Sequence, residues 1–259
     1  MGFDDLNQWY SGLVDSDTGY FLRANEQQRN PGGNIECSPA LPSYPYGRLI
    51  VGANLAAPAK EFFKAQKIQT DSGSMIELPV SWLRVGHVDE VMTILPVGSG
   101  FKVLVADLQL AIDLLRNSPT NETWGGYDTR AQILAAYDAN SNRVAEICNH
   151  LAAVRSALAQ GLGVNESTFI KVPVAFTLDT DEYVETYLPN MINMIVVKPA
   201  SGAPKLVPPR PFFVPYVLSF ESSINNAGFE GSGEFVDTSG PHSDGGEAHC
   251  ASNVRREAP

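Results

Sequence analysis

The stretch Trp82-Leu-Arg-Val-Gly-His-Val-Asp-Glu90 decides how this sequence is read, because it places an imidazole and a carboxylate two residues apart in an apolar run. The β-branched residues predict a strand over residues 85–95. Side chains alternate along a strand, so we expect His87 and Asp89 to share one face. Such a pair can bind a ligand, but it can equally be a hydrogen-bonded pair that serves the fold alone.

A second stretch, Gly246-Glu-Ala-His-Cys250, places a thiol after the glycine pair Gly245-Gly246. A thiol, an imidazole and a carboxylate are the components of a nucleophilic enzyme. His249 is a poor base for its neighbour Cys250, because adjacent side chains point apart in extended backbone. His87 is therefore the better candidate partner, brought close by the fold. The alternative is that Cys250 is simply a small buried apolar residue.

The composition narrows the possible partners and location. The 259 residues are 44% hydrophobic and carry a net charge of -11. This charge disfavours nucleic acid and suits a cationic ligand. Three widely spaced cysteines disfavour a structural zinc site and favour a reducing compartment, so we expect a cytoplasmic protein. The sequence contains no apolar run long enough to cross a membrane.

Strand and helix patterns alternate along the chain in the order strand, strand, helix, strand. This rhythm predicts an α/β fold, and the lack of a low-complexity linker predicts one domain over residues 1–259. Residues 200–215 and 228–246 are rich in Pro, Gly and Ser and are expected to be loops. The predicted strands are 48–52, 74–80, 85–95, 101–106, 169–176 and 191–197, and the predicted helices are 57–65, 107–116, 128–160 with a break near Asn140, and 216–226.

Several motifs resemble those of the protein-arginine deiminases and occur in the same order as in that family. Val85-Gly-His-Val-Asp-Glu90 resembles VGHVDE, and Gly246-Glu-Ala-His-Cys-Ala-Ser-Asn-Val-Arg-Arg256 resembles GEVHCGTNVRR. Between them, Pro189-Asn-Met-Ile-Asn-Met194 resembles PNMVNM. The remaining matches are Gly33-Asn-Ile-Glu-Cys-Ser-Pro39 with GNLEVSP, Tyr44-Pro-Tyr-Gly-Arg-Leu-Ile50 with EYPLGRI, and Gly19-Tyr-Phe-Leu-Arg23 with GYVTR.

The resemblance implies a pentein-type α/β propeller, built from ββαβ modules around a central site. It also implies hydrolysis of peptidyl-arginine to peptidyl-citrulline and ammonia. In this sequence Cys250 would be the nucleophile, His87 the general acid and base, and Asp89 a carboxylate that holds the guanidinium. Asp89 and Val85 would bind the substrate.

The same resemblance implies a calcium site formed by Glu36 with the backbone of Gly32 and Ile35. The family carries a second guanidinium-binding aspartate in a WxxDxxxxG motif, together with further calcium ligands, upstream of the GYVTR-like stretch. Since the sequence given lacks that motif, we expect an incomplete propeller. The family's Arg-His pair before GEVHC is Asp244-Gly245 here, which predicts altered peptide recognition.

Three alternative functions remain open from the sequence. A hydrolase of small guanidines with the same fold is compatible with Asp244-Gly245. A non-catalytic arginine-binding relative is compatible with the lack of a second aspartate. A Cys-His-Asp acyl transferase such as a thiol protease is disfavoured by the close spacing of His87 and Asp89 and their distance from Cys250. The oligomeric state is left open.

Overall fold

The computed structural model describes residues 32–65, 75–118, 128–178, 183–199, 201–250 and 252. Within these ranges the protein is a mixed α/β structure with three three-stranded sheets. Each sheet pairs its first two strands antiparallel and adds its third strand parallel to the second. The predicted α/β class is confirmed, and the strand-strand-helix-strand unit, here called a ββαβ module, occurs three times.

The first module contains β1 (Ile35–Cys37), β2 (Leu49–Gly52), α1 (Ala57–Ala65) and β3 (Ile76–Leu78). Ile35 lies opposite Val51 in the antiparallel pair, and Ile50 lies opposite Ile76 in the parallel pair. The predicted helix over 57–65 is confirmed.

The second module is the largest, because three helices connect its last two strands. It contains β4 (Met92–Val97), β5 (Gly100–Asp107), α2 (Leu108–Asn117), α3 (Arg130–Ala139), α4 (Ser141–Leu162) and β6 (Phe169–Pro173). The run 103–107 of β5 is buried throughout, as expected of a central strand covered on both faces. The carboxylate of Asp107 accepts a hydrogen bond from the backbone N–H of Leu110 at 2.8 Å and so caps α2.

Two glycines near the end of α4 have different roles. The predicted break at Asn140 is confirmed, because α3 and α4 meet there. Gly163 ends α4 in the left-handed conformation, with φ of 66°. Gly161 remains inside the helix, where an added Cβ would lie 2.6 Å from Ile76. Gly161 therefore allows α4 to approach β3 closely rather than ending the helix.

The third module contains β7 (Ile195–Val197), β8 (Lys205–Val207), α5 (Val214–Asn226) and β9 (Ser232–Gly233), followed by the short α6 (Ser239–Ser243). The prediction that residues 200–215 are entirely loop is wrong, because β8 pairs with both β7 and β9. Short strands between prolines carry too little periodicity to stand out. The segment 228–246 likewise contains β9 and α6.

The prediction of one strand over residues 85–95 is also wrong. The chain forms a short 3-10 helix at Val88–Glu90, and β4 begins only at Met92. Gly86 adopts a φ of 78°, which turns the backbone away from an extended path. The carboxylate of Glu90 accepts a hydrogen bond from the backbone N–H of His87 at 2.7 Å and closes the turn.

One hydrophobic core joins the second module to the other two. Its fully buried large side chains include Leu83, Leu104, Leu108, Phe213 and Phe220. Among the residues that the structure describes, no helix is both long and apolar enough to pass through a membrane.

Candidate active site

The candidate active site forms where three segments that flank the modules meet. One segment is the turn at His87–Glu90 before β4, a second is residues 190–193 before β7, and a third is residues 246–250 after α6. Together they place a ring nitrogen of His87, a carboxylate oxygen of Asp89 and the sulfur of Cys250 within 4.8 Å of one another. The structure therefore brings together all three side chains that the sequence singled out as catalytic candidates.

The His87–Asp89 pair is buried, with relative exposures of 5% and 2%. Their Nδ1 and Oδ1 atoms are 4.0 Å apart. The two side chains are close because the backbone forms a 3-10 turn here. The sequence predicted their proximity, but from the alternation of side chains along a strand that does not form. The sulfur of Cys250 lies 3.4 Å from Oδ2 of Asp89.

Gly33 packs directly against this pair. A Cβ built on Gly33 would lie 2.5 Å from Oδ2 of Asp89 and 2.9 Å from Nδ1 of His87. Any side chain at this position would displace one of the two groups. The glycine of the Gly33–Pro39 motif therefore has a direct steric explanation.

Asn193 positions Cys250, a role that the sequence reasoning missed. Its Oδ1 accepts hydrogen bonds from the backbone N–H groups of His249 at 3.0 Å and Cys250 at 3.2 Å. Its Nδ2 lies 3.2 Å from the Cys250 sulfur and can donate to it. A single asparagine carries no recognisable chemical pattern, and only the PNMVNM-like motif marked this segment.

Glu247 anchors the segment that carries Cys250, and it too was missed. Its carboxylate accepts hydrogen bonds from the hydroxyl of Thr238 at 2.5 Å and from the backbone N–H of Asn190 at 3.1 Å. Nδ1 of His242 lies 2.6 Å from the same carboxylate. Asn190 in turn donates to the backbone carbonyl of Glu90 at 2.8 Å. The network therefore links all three segments of the site.

His249 lies between two carboxylates. Its Nδ1 is 2.9 Å from Oδ2 of Asp89, and its Nε2 is 3.4 Å from Oε1 of Glu36. The hydrogen bond to Asp89 raises the pKa of His249, against the opposing effect of burial. Burial raises the pKa of Glu36, an effect that His249 offsets and Asp89 reinforces. His249 thus bridges the carboxylates of Asp89 and Glu36.

The predicted calcium ligands lie beside this bridge. Glu36 is half-buried in β1, Ile35 precedes it in the same strand, and Gly32 is exposed at the start of a 3-10 turn. All three residues would offer oxygen atoms, the type of ligand that calcium prefers. Calcium takes six to eight such ligands, more than these three residues supply. Glu36 contacts His249, which in turn contacts Asp89, so a cation at Glu36 would lie beside His249.

Two further groups have strongly raised pKa values. Burial raises the pKa of Glu90 to about 8, although the N–H of His87 opposes the shift. The pKa of the Cys250 thiol is raised to about 12. The main cause is desolvation of the sulfur by the surrounding protein, and the second is the negative charge of Asp89. The thiol is thus protonated near neutral pH when no cation is nearby.

A cavity of about 320 Å³ opens beside the nucleophile candidate. Val85 and Cys250 both line it, as do Glu90, Asn193 and Glu185. The structure therefore places the predicted substrate-binding Val85 in the same wall as Cys250. His87 and Asp89 are not among the residues that line it. They approach Cys250 from the buried side.

Comparisons with known proteins agree with this site. The family model for protein-arginine deiminase (PAD) matches residues 7–259. Protein-arginine deiminase type-3 of Rattus norvegicus is 30% identical over 285 residues, which cover 96% of this chain and 41% of that protein. Type-1 of Homo sapiens is 27% identical over 287 residues, with the same coverage. Type-4 of Homo sapiens is 29% identical over 281 residues, covering 95% of this chain and 41% of that protein.

The chain spans 41% of the length of these relatives. The family match nevertheless covers most of the chain, and it includes the segments that place His87, Asp89 and Cys250 together. From its sequence motifs, its site and this match, the chain belongs to the protein-arginine deiminase family.

Proposed function

We propose that this chain hydrolyses the guanidinium of peptidyl-arginine to the ureido group of peptidyl-citrulline, with release of ammonia. The observation that carries the proposal is the convergence of His87, Asp89 and Cys250 within 4.8 Å. Cys250 is distant in sequence from His87 and Asp89. Packing of a hydrophobic core does not require a thiol beside an imidazole and a carboxylate, so the cluster points to a chemical role.

Charge favours a guanidinium in this site. Asp89 can accept two N–H donors from a planar guanidinium, the geometry that carboxylates and guanidinium groups share. Glu36 adds a second carboxylate, which contacts His249 beside Asp89. Val85 lines the approach to Cys250 and would contact the substrate chain. A protein or peptide substrate is therefore the favoured partner.

The first step is attack of the Cys250 sulfur on the central guanidinium carbon. A bound guanidinium places a positive charge next to the sulfur, which lowers the thiol pKa and reverses the effect of Asp89. Formation of the C–S bond gives a tetrahedral adduct. The protonated imidazole of His87 then donates a proton to the departing nitrogen, the C–N bond breaks, and ammonia leaves a thiouronium intermediate.

The second step resolves this intermediate with water. Neutral His87 removes a proton from the water as its oxygen attacks the same carbon, and the C–S bond then breaks. As that bond breaks, the remaining hydroxyl proton of the adduct passes through solvent to ammonia. The products are the neutral ureido group, the ammonium ion, the Cys250 thiolate and protonated His87. Overall, one guanidinium and one water give one ureido group and one ammonium ion, so charge and atoms balance.

Calcium is part of the proposal, with Glu36 and the backbone oxygens of Gly32 and Ile35 as ligands. When bound there, the ion would supply positive charge beside Asp89 and His249. Loss of the contact between Glu36 and His249 would leave His249 held by Asp89 alone. Binding of calcium and placement of the guanidinium would thus be linked through Asp89.

We extend the fold proposal to a pentein-type propeller. Three ββαβ modules share one strand order, and the site lies on the segments that flank them. The free state of Cys37, Cys148 and Cys250 fits a reducing compartment such as the cytoplasm.

One rival function has an observation in its favour. The raised pKa of Cys250 suits a non-catalytic protein that holds arginine side chains without attacking them. Such a protein would bind arginine peptides through Asp89 and leave Cys250 unmodified.

The test is release of ammonia from benzoyl-arginine amide with added calcium, together with mass spectrometry of the product. We expect citrulline formation by the chain, its loss in Cys250→Ala, and no change in the matched control Cys37→Ser, which removes a thiol from outside the site. Activity that survives in Cys250→Ala would overturn the nucleophile assignment. Peptide binding without any turnover would favour the rival.

A further inference from the structure

We propose that His87, Asp89 and Cys250 also form a binding site for a thiophilic divalent metal such as Zn²⁺, distinct from calcium, whose binding blocks the nucleophile. The three side chains offer one nitrogen, one oxygen and one sulfur, all within 4.8 Å of one another. Sequence reasoning disfavoured zinc because the cysteines are far apart. The fold brings together a nitrogen, an oxygen and a sulfur ligand from residues too far apart in sequence to form a recognisable metal-binding motif.

The distances suit a small tetrahedral ion. With metal–ligand bonds of about 2.0–2.3 Å, the ligand atoms of a tetrahedral site lie roughly 3.3–3.8 Å apart. The separation between Cys250 Sγ and Asp89 Oδ2 is 3.4 Å, and that between His87 Nδ1 and Asp89 Oδ1 is 4.0 Å. The first separation lies within this range and the second just above it, so the three side chains are close to the spacing of a tetrahedral site.

The buried carboxylate supplies an independent argument. Oδ1 of Asp89 is buried and makes no hydrogen bond to any part of the chain that the structure describes. A buried acceptor without a partner is costly. It faces the His87 ring across 4.0 Å. A metal ion between these groups and Cys250 would satisfy this oxygen.

The type of ligand separates this site from the calcium site. Calcium takes oxygen ligands almost exclusively, whereas thiolate and imidazole select zinc and related ions. The ion would displace the proton of the Cys250 thiol on binding, so affinity should rise with pH. It would also place two positive charges beside Asp89, where the proposed substrate guanidinium places one.

Functionally, a metal on Cys250 sequesters the sulfur lone pair that the proposed reaction needs. It also occupies Asp89, so substrate and metal would compete. His249, whose Nδ1 is 2.9 Å from Oδ2 of Asp89, is positioned to supply a fourth ligand once it is neutral. The site would thus act as a reversible brake on the enzyme that responds to free zinc.

The test measures metal binding without any substrate, so its result is independent of the proposed activity. Calorimetric titration of the apo chain with ZnCl₂ is expected to show one equivalent bound through this site, and excess calcium should not displace it. Cys250→Ser should weaken the binding by more than roughly tenfold, the lower end of what changes around metal sites cost. The matched controls Cys37→Ser and Cys148→Ser should leave it unchanged. Equal binding by Cys250→Ser and the wild type would overturn the site.

Cobalt provides a second readout that does not depend on the fold of a variant. Co²⁺ added to the wild-type chain should give a thiolate-to-metal charge-transfer band, and Zn²⁺ should abolish it. In a thiol assay of the native chain, zinc should protect one thiol from modification, and in Cys250→Ser it should protect none. A charge-transfer band that persists in Cys250→Ser would place the metal elsewhere and contradict the proposal.

Discussion

The side-chain amide of Asn193 contacts both the backbone and the sulfur of Cys250, 57 residues away in sequence. Removing this amide in Asn193→Ala would leave the Cys250 segment without its acceptor for two N–H groups. Small misplacements of a nucleophile cost about a hundredfold in rate. We therefore expect kcat for benzoyl-arginine amide to fall by roughly that factor, with a smaller change in KM. Asn225→Ala, on the exposed side of α5, is the control. An unchanged kcat would remove Asn193 from the positioning role.

The Asp89→Asn substitution should separate thiol reactivity from catalysis. Asp89 raises the pKa of Cys250, so its neutralisation should lower that pKa and speed alkylation by iodoacetamide at neutral pH. Deimination should fall, because the substrate loses its carboxylate partner. Both rates can be measured in a Cys37→Ser, Cys148→Ser background, with the exposed Asp113→Asn as control. Slower alkylation in Asp89→Asn would contradict the electrostatic assignment.

The Glu247→Gln substitution should weaken the attachment of the segment over residues 238–250. The amide group of glutamine would face donors that now bind a carboxylate, and a disrupted buried hydrogen bond costs about 1–3 kcal/mol. We expect a loss of this size in the free energy of unfolding and faster amide hydrogen exchange over 238–250. The exposed Glu234→Gln should change neither quantity. Exchange that increases equally across the whole chain would argue against a local anchor.

The His249 bridge predicts a pH dependence of stability. Because the pKa of His249 is raised in the folded state, the protonated imidazole stabilises the fold fully below its unfolded pKa of about 6.5. That contribution is lost as the pH rises through the higher folded pKa. The stability difference between the wild type and His249→Gln should therefore shrink as the pH rises above about 6.5 and through the raised folded pKa. An NMR titration of the His249 ring should give a midpoint above 6.5 that Asp89→Asn lowers. A midpoint below that value would refute the bridge.

Tyr137 provides a test of the core away from the site. Its hydroxyl donates to the carbonyl of Phe176 at 2.8 Å and accepts from the N–H of the same residue at 3.1 Å. Tyr137→Phe would leave both buried backbone groups without a partner, at a cost of about 1–3 kcal/mol. Urea denaturation should show this loss. Tyr46→Phe should not, because Tyr46 is 80% exposed.

The sequence correctly predicted those secondary-structure elements that depend on interactions between residues close together in the chain. The helix at Ala57–Ala65 and the break at Asn140 follow from helical spacing and from a residue that favours turns. The 3-10 turn at Val88–Glu90 was missed, because its closure depends on the Glu90 side chain and on a positive φ at Gly86. A strand pattern and a short apolar turn look alike over so few residues.

The order strand, strand, helix, strand was visible in the sequence, but no pattern of residues repeats from one module to the next. The middle strands β2, β5 and β8 hold equivalent places, yet Leu49-Ile-Val-Gly52, Gly100–Asp107 and Lys205-Leu-Val207 share no common pattern. Only backbone pairing is repeated, and pairing does not depend on particular side chains. Asn193 and Glu247 were missed for a related reason, since Asn193 and Cys250 lie 57 residues apart, as do Glu247 and Asn190.

The separation of Asp89 and Cys250 in the sequence affects when the candidate site can form during translation. These residues are 161 positions apart, and the second and third modules lie between them. Ribosomes synthesise proteins at roughly 5–20 residues per second, and compact units form as the chain emerges. The first module can fold while Cys250 has yet to be translated. A nascent chain therefore cannot bring His87, Asp89 and Cys250 together until synthesis has passed the third module.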